Sequence, residues 1–329
     1  MPLSKIVANS IADDTITTDQ IADTSVNGRR NLIINPSGAV DQRGGSSTIN
    51  TYSVDRWRSY GGPGGFTISK RTDAGEGDGN AIRFHRTASN SQTSAMGIAQ
   101  GIETRESKRL AGKTVTISFR ARKGADWSPT NFDAKVFHGT GTDENPVGMT
   151  GQASDVAVDD ASLTTSFQTF VGSVTIPSNK TQVTLGFQWT PSGTAGANDY
   201  VDIREIQMEV GEVSSPVFEH RSFGEEMALC QRYFFREGNV GEALHYVTTG
   251  PVGGQRWYFQ ALPVQMRKDP TDTIYADNSQ ASSGKCRRDD NTLIDITGSY
   301  TSQDTIGFLI TNGTANNLFF HDFDVDAEL

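Results

Sequence analysis

Long stretches of this chain alternate apolar and polar residues with a period of two, a pattern that fits half-buried β-strands. Val115, Ile117 and Phe119 alternate with Thr114, Thr116 and Ser118, and Val183, Leu185, Phe187 and Trp189 alternate with Thr184, Gly186 and Gln188. Each set places its apolar side chains on one face, so each strand needs a second layer to cover it. Val201 and Ile203 keep one phase while Ile206, Met208 and Val210 are one residue out of step, which predicts a β-bulge at Arg204 and Glu205. Glycine clusters at 61–65 and 75–79 punctuate these runs, and 34 glycines in 329 residues supply turns between short strands. The expectation for residues 29–221 is a jelly-roll β-sandwich with long loops at its ends.

A helical spacing follows at Phe223, Met227, Cys230 and Phe234, with Glu225 and Glu226 in the first turn where carboxylates favour the dipole. It predicts a short connector helix over 222–236. Strand-like runs resume at 244–248, 257–261, 292–296, 306–310 and 318–325, which gives a second, smaller β-sandwich over 237–329. The fold class is therefore all-β, and the length allows two real cores.

Residues 1–28 obey a different rule. Ile6, Ile11, Ile16, Ile21 and Val26 recur every five positions. On a strand an odd step alternates faces, and on a helix it advances about 140°, so no single apolar stripe results. These side chains find cover only around a shared axis, among intertwined copies or on another protein, which makes the segment an assembly anchor. A disordered polar tail is the plainer alternative.

With 39 acidic against 29 basic residues the net charge is −10, a field that repels nucleic acid and anionic lipid. No apolar run approaches the ~20 residues of a membrane span, and the N-terminus lacks the pattern of a secretory signal. Cys230 and Cys286 lie far apart and form no CxxC pair, so both read as free thiols of a protein made in a cytoplasm.

Catalytic motifs are wanting. Gly112-Lys113-Thr114 mimics the end of a phosphate loop, but Ser107 stands where that loop needs glycine and a strand follows where a helix should start. His85, His138, His220, His245 and His321 are scattered singly, with no metal-ligand spacing. No GxSxG elbow occurs, and nothing selects a carboxylate pair for glycan cleavage, so the expectation is a protein that is not an enzyme.

Sugar binding needs an aromatic face against a pyranose, with polar groups for its hydroxyls. Trp127, Tyr60 and Trp257 are the candidates, whereas Trp57 and Trp189 read as core. Asp73, Glu76, Asp78 and Asn80 gather oxygen ligands compatible with calcium in a glycine-rich loop, without EF-hand spacing; a solvated acidic turn is the favoured reading. No other cofactor is expected. Asp322, Asp324 and Asp326 share one face of a strand opposite Phe323 and Val325, and that acidic face is expected outward.

Several segments then combine into a likeness. Asn31-Leu32-Ile33-Ile34-Asn35-Pro36-Ser37-Gly38, Gln42-Arg43-Gly44 and Val54-Asp55-Arg56-Trp57 resemble the opening of jelly-roll modules in bacteriophage tail-fibre and appendage proteins, themselves similar to carbohydrate-binding modules. Leu110-Ala111-Gly112-Lys113, the strand from Tyr200 to Val210 and the run from Glu226 to Phe234 resemble the same group, and Pro263-Val264-Gln265-Met266-Arg267 extends the likeness weakly. The resemblance implies a virion protein: a homotrimer anchored to a phage tail, baseplate or capsid protein through 1–28, with distal surfaces that bind a host-surface glycan. The alternatives are a capsid head fibre, decoration or tail structural protein without a receptor, and a glycan depolymerase.

Overall fold

The computed structural model describes residues 29–329 apart from 47, 63, 76–78, 214–216, 238–243, 248–253, 276–283, 289–291 and 312–317. The anchor residues Ile6, Ile11, Ile16, Ile21 and Val26, and the calcium candidates Glu76 and Asp78, lie outside the described residues. Among the described residues no helix is long and apolar enough to cross a membrane.

The alternating runs at 114–119, 183–189 and 201–210 form strands as their spacing predicts, and further strands complete their sheets. The first five are β1 (Arg58–Gly61), β2 (Phe66–Arg71), β3 (Ala81–Arg86), β4 (Met96–Ile102) and β5 (Thr114–Lys123), with helix α1 (Thr104–Leu110) between the last two. Then come β6 (Asp133–Gly139), β7 (Ala153–Val158), β8 (Gln168–Thr175), β9 (Gln182–Trp189) and β10 (Tyr200–Val210). They build two five-stranded antiparallel sheets, ordered β1-β4-β9-β6-β7 and β2-β3-β10-β5-β8. Two apolar faces close on each other, and the jelly-roll sandwich is the result.

Its core is unusually aromatic. Phe187 sits 4.9 Å from Phe119 and 5.8 Å from Phe132 between ring centroids, and Phe84 meets Trp189 edge-on at 4.6 Å. Trp57 and Trp189 are fully buried, as expected, and Trp57 Nε1 donates to Asn35 O at 2.9 Å. The bulge lies where the phase slips: the β10–β5 register shifts between Arg204 and Gln207, and Glu205 adopts φ +50°. That extra residue turns Ile206 and Met208 back to the face already held by Val201 and Ile203, so all four join one core.

Helix α2 (Phe223–Gln231) starts at Ser222, whose hydroxyl accepts from Glu225 N at 3.2 Å. It is shorter than the spacing implies, because Phe234 already belongs to a strand and Phe223 is exposed. The second domain comprises β11 (Phe234–Glu237), β12 (Leu244–Val247), β13 (Gln255–Ala261) and β14 (Thr271–Tyr275). It continues with β15 (Lys285–Arg288), β16 (Leu293–Thr301), β17 (Thr305–Thr311) and β18 (Leu318–Asp326). One path runs β11-β18-β15-β16-β17-β13, with β12 and β14 also paired to β18. The strands wrap a separate core that includes Phe308, Ile310, Phe323 and Val325.

The aspartate row of β18 corrects the sequence expectation. Asp322 and Asp324 are buried rather than outward. Arg236 on the neighbouring strand grips Asp324 with two 2.7 Å hydrogen bonds, and Arg43 of the first domain donates to Asp326 at 3.0 Å. Arginines remote in sequence neutralise the row, which no local pattern could announce.

Those arginines belong to a seam that joins the domains. Arg56, buried beneath the ring of Tyr233 at 3.5 Å, pairs with Glu328 and donates to Gly101 O at 2.7 Å. Arg43 lies 3.7 Å over Phe234 and 3.5 Å from the second Glu328 oxygen. Arg267 donates to Ala327 O at 2.6 Å and to Asp143 at 3.0 Å, while Tyr52 Oη donates to Leu329 O at 3.2 Å. Residues 327–329 are thus threaded into the first domain. Burial pushes Glu328 above the ordinary carboxylate range, with Arg56 and Arg43 pulling it down. Asp55 beside it is pushed up by burial to about 6, opposed by the Gln42 amide and Arg43.

Candidate functional site: an exposed aromatic shelf

Strand alternation sorts the run Trp257-Tyr258-Phe259 in β13. Tyr258 turns inward and stacks on Phe308 at 5.4 Å. Trp257 and Phe259 therefore turn outward, 47% and 58% exposed, with rings 14° from parallel and centroids 5.8 Å apart. Pairing sets Phe259 opposite Gly307 of β17, and Gly307 opposite Tyr300 of β16. Tyr300, 51% exposed, stands at 75° to Phe259 with centroids 6.0 Å apart. Three large rings so share one solvent-facing surface, where lone exposed aromatics would need no account.

Two glycines make the shelf fit. A Cβ at Gly307 would lie 2.6 Å from the Phe259 ring, so the ring fills the space that a side chain would take. Gly298 follows a bulge in β16 and faces the edge of Trp257, where a Cβ would sit at van der Waals distance, 3.6 Å. Gly298 also lines a polar groove of about 290 Å³ bordered by Asp272, Thr273, Thr297 and Ser299. Thr301 Oγ1 donates to Asp272 Oδ1 at 2.7 Å and ties β14 to β16 there. At the start of β17, Ser302 and Thr305 hydroxyls donate to Asp304 and hold its carboxyl below the usual range. Ser299 pairs with buried Phe308 and Thr301 with buried Ile306, so this groove opens on the other side of the sheet and the shelf itself is an apolar face.

The other candidates occupy different settings. Tyr60 is buried on the outer face of its sheet, edge-on to Phe137 at 5.8 Å, with Oη donating to Phe187 O at 3.1 Å; burial raises its phenol. Trp127 is half-buried and packs on Trp189 and Phe132 at 5.8 and 6.2 Å. Trp257 alone of the three is strongly exposed. Sequence reasoning missed Phe259, which the alternation already coupled to Trp257, and Tyr300, which only strand register brings there.

Asp73 forms an ion pair with Arg71, at 2.6 Å through Oδ2. A different trio, Asp133, Asp159 and Asp160, brings carboxylate oxygens within 4.8 Å of one another. Asp133 there already accepts from Asp160 N and Asn131, and Lys135 Nζ lies 3.4 Å away, so the protein supplies a cation of its own. Both cysteines are free and buried.

No protein-family model and no curated protein matches this chain. Among solved structures it is similar to the enzymatically active domain of bacteriophage CBA120 tailspike protein 4, at 13% identity and TM-score 0.35, over 55% of this chain and 21% of that one. The chain therefore spans about a fifth of that tailspike structure. It is similar to a xylan-binding domain from carbohydrate-binding module family 22, at 21% identity and TM-score 0.34, over 50% of this chain and 94% of that one. A third likeness is to the CBM22-1–GH10 modules of Clostridium thermocellum endo-1,4-β-D-xylanase 10B, at 10% identity and TM-score 0.36, over 57% and 30% of the two chains.

Proposed function

We propose that this chain is a non-enzymatic attachment protein of a bacteriophage particle, a tail fibre that holds a host-surface glycan on the shelf of Trp257, Phe259 and Tyr300. The observation that carries this reading is the clustering of three exposed rings on one solvent-facing surface. Keeping such surface in water is unfavourable by roughly 25 cal/mol per Å² of apolar area, so a shelf of this kind is retained for a partner. Pyranose rings suit it, because their C–H faces cover aromatic carbon while their hydroxyls stay in water. The phage context comes from the ordered segments of residues 29–236 that resemble appendage proteins, and the anchoring role of 1–28 from its five-residue repeat. In this reading three copies assemble about the anchor.

The test is adsorption of particles carrying Trp257→Ala with Phe259→Ala. Loss of adsorption from intact, normally assembled particles supports attachment. Normal adsorption with unstable particles points instead to a shelf that packs against neighbouring particle proteins. Release of reducing sugar ends from host polysaccharide by the purified chain would replace the adhesive role with a depolymerase.

A further inference from the structure

The shelf carries a chemical selectivity of its own. β16 and β17, which bear Tyr300 and Gly307, contain no lysine or arginine, and none occurs from residue 291 onward. The next strand, β15, brings Lys285, Arg287 and Arg288; Asp295 of β16 holds Lys285 in an ion pair, and Arg287 stands opposite Leu293, seven positions before Tyr300, while Arg256 of β13 pairs in register with Ile310, out of phase with Trp257 and Phe259. Exposed carboxylates stand on the same two strands or at their ends: Asp295 in β16 and Asp304 at the start of β17. The whole chain adds a net charge of −10. Acidic sugars are gripped by guanidinium or ammonium groups, and no such group stands in register with the rings.

Shape narrows the class further. Trp257 and Phe259 present two near-parallel rings 5.8 Å apart along one strand, so the apolar surface continues past a single ring. Both are about half exposed, which leaves the shelf open along β13 rather than walled into a pocket. An open, elongated surface admits the interior of a chain, whereas recognition of a terminal residue needs an end wall.

Resting on the attachment reading above, we infer that the shelf binds an uncharged polysaccharide along its length, through consecutive pyranose units whose C–H faces lie on Trp257 and Phe259. Ligand discrimination is then by charge and by the continuous apolar face, and binding is nearly independent of salt.

The experiment is affinity electrophoresis of the full chain through gels holding neutral polymers (β-glucan, xylan, mannan, galactan) or acidic ones (polygalacturonate, alginate, hyaluronate), at low and high salt. Acrylamide quenching of the parent protein, with and without each polymer, reports cover over Trp257 without any substitution. The expected result is retardation by at least one neutral polymer, unchanged by salt, weakened about tenfold or more by Trp257→Ala or Phe259→Ala, and matched by reduced quenching. Retardation by acidic polymers alone, or equally by both classes, overturns the selectivity and leaves attachment standing. No retardation by any polymer, or retardation that neither substitution weakens and that leaves quenching unchanged, overturns both.

Discussion

Replacing Glu328 by alanine isolates one buried charge and gives the sharpest test of how the domains are joined. Arg56 is 1% exposed and keeps only Gly101 O and the Tyr233 ring once the carboxylate is gone. Stranding a buried ion by removing its partner costs about 3–5 kcal/mol. The two contacts that remain place the expected loss near the lower end, about 3 kcal/mol, or a fall of more than a hundredfold in the folding equilibrium. Urea titration followed by far-UV circular dichroism and tryptophan emission measures it. Adding Arg56→Met to Glu328→Ala should recover most of the loss, because an apolar side chain of similar length needs no counter-charge. A cost under about 1 kcal/mol for Glu328→Ala, or a double variant no more stable than the single one, would refute the idea that this pair is a desolvated, mutually dependent unit.

Other consequences are equally specific. Asp55 has a folded-state value of about 6 against ~3.9 unfolded, so the folded state binds its proton more tightly; its contribution is greatest below pH 4 and declines by up to about 3 kcal/mol as pH rises through 6. The parent should therefore lose stability relative to Asp55→Asn across that window in parallel urea titrations. Phe187→Ala empties the middle of the aromatic pile and should cost about 3–5 kcal/mol by the same assay. Burial pushes both thiols up, Cys286 to about 12, so native protein should resist a thiol reagent that modifies both cysteines at once in denaturant.

Where pattern was local, the sequence was a good guide. The phase slip at Arg204 marked a real bulge, and the alternation of 183–189 marked a real core strand. α1, β14, β15 and most strands of the first sandwich were not singled out, because short runs lack a clean period and strand pairing rather than propensity fixes them. The aspartates of β18 misled for a related reason: Arg236 meets buried Asp324 from 88 positions away and Arg43 meets Asp326 from more than 280, so the neutralising charges are invisible along the chain. The site was half legible. Trp257 stood out by type, Phe259 followed from its spacing, and Tyr300 required knowing which strands are neighbours.

The way residues 327–329 are bolted into the first domain bears on the attachment proposed above. A waist held by Arg43, Arg56 and Arg267 does not swivel freely, so each shelf keeps a set bearing relative to the body that carries it. Copies grouped at a common root would then hold their shelves at fixed intervals, and a second or third grip would close only where receptors are spaced to match. If the proposed attachment holds, stiffness at that joint would turn the density of sugar on a cell into a threshold for capture, where a floppy hinge would give a gradual response.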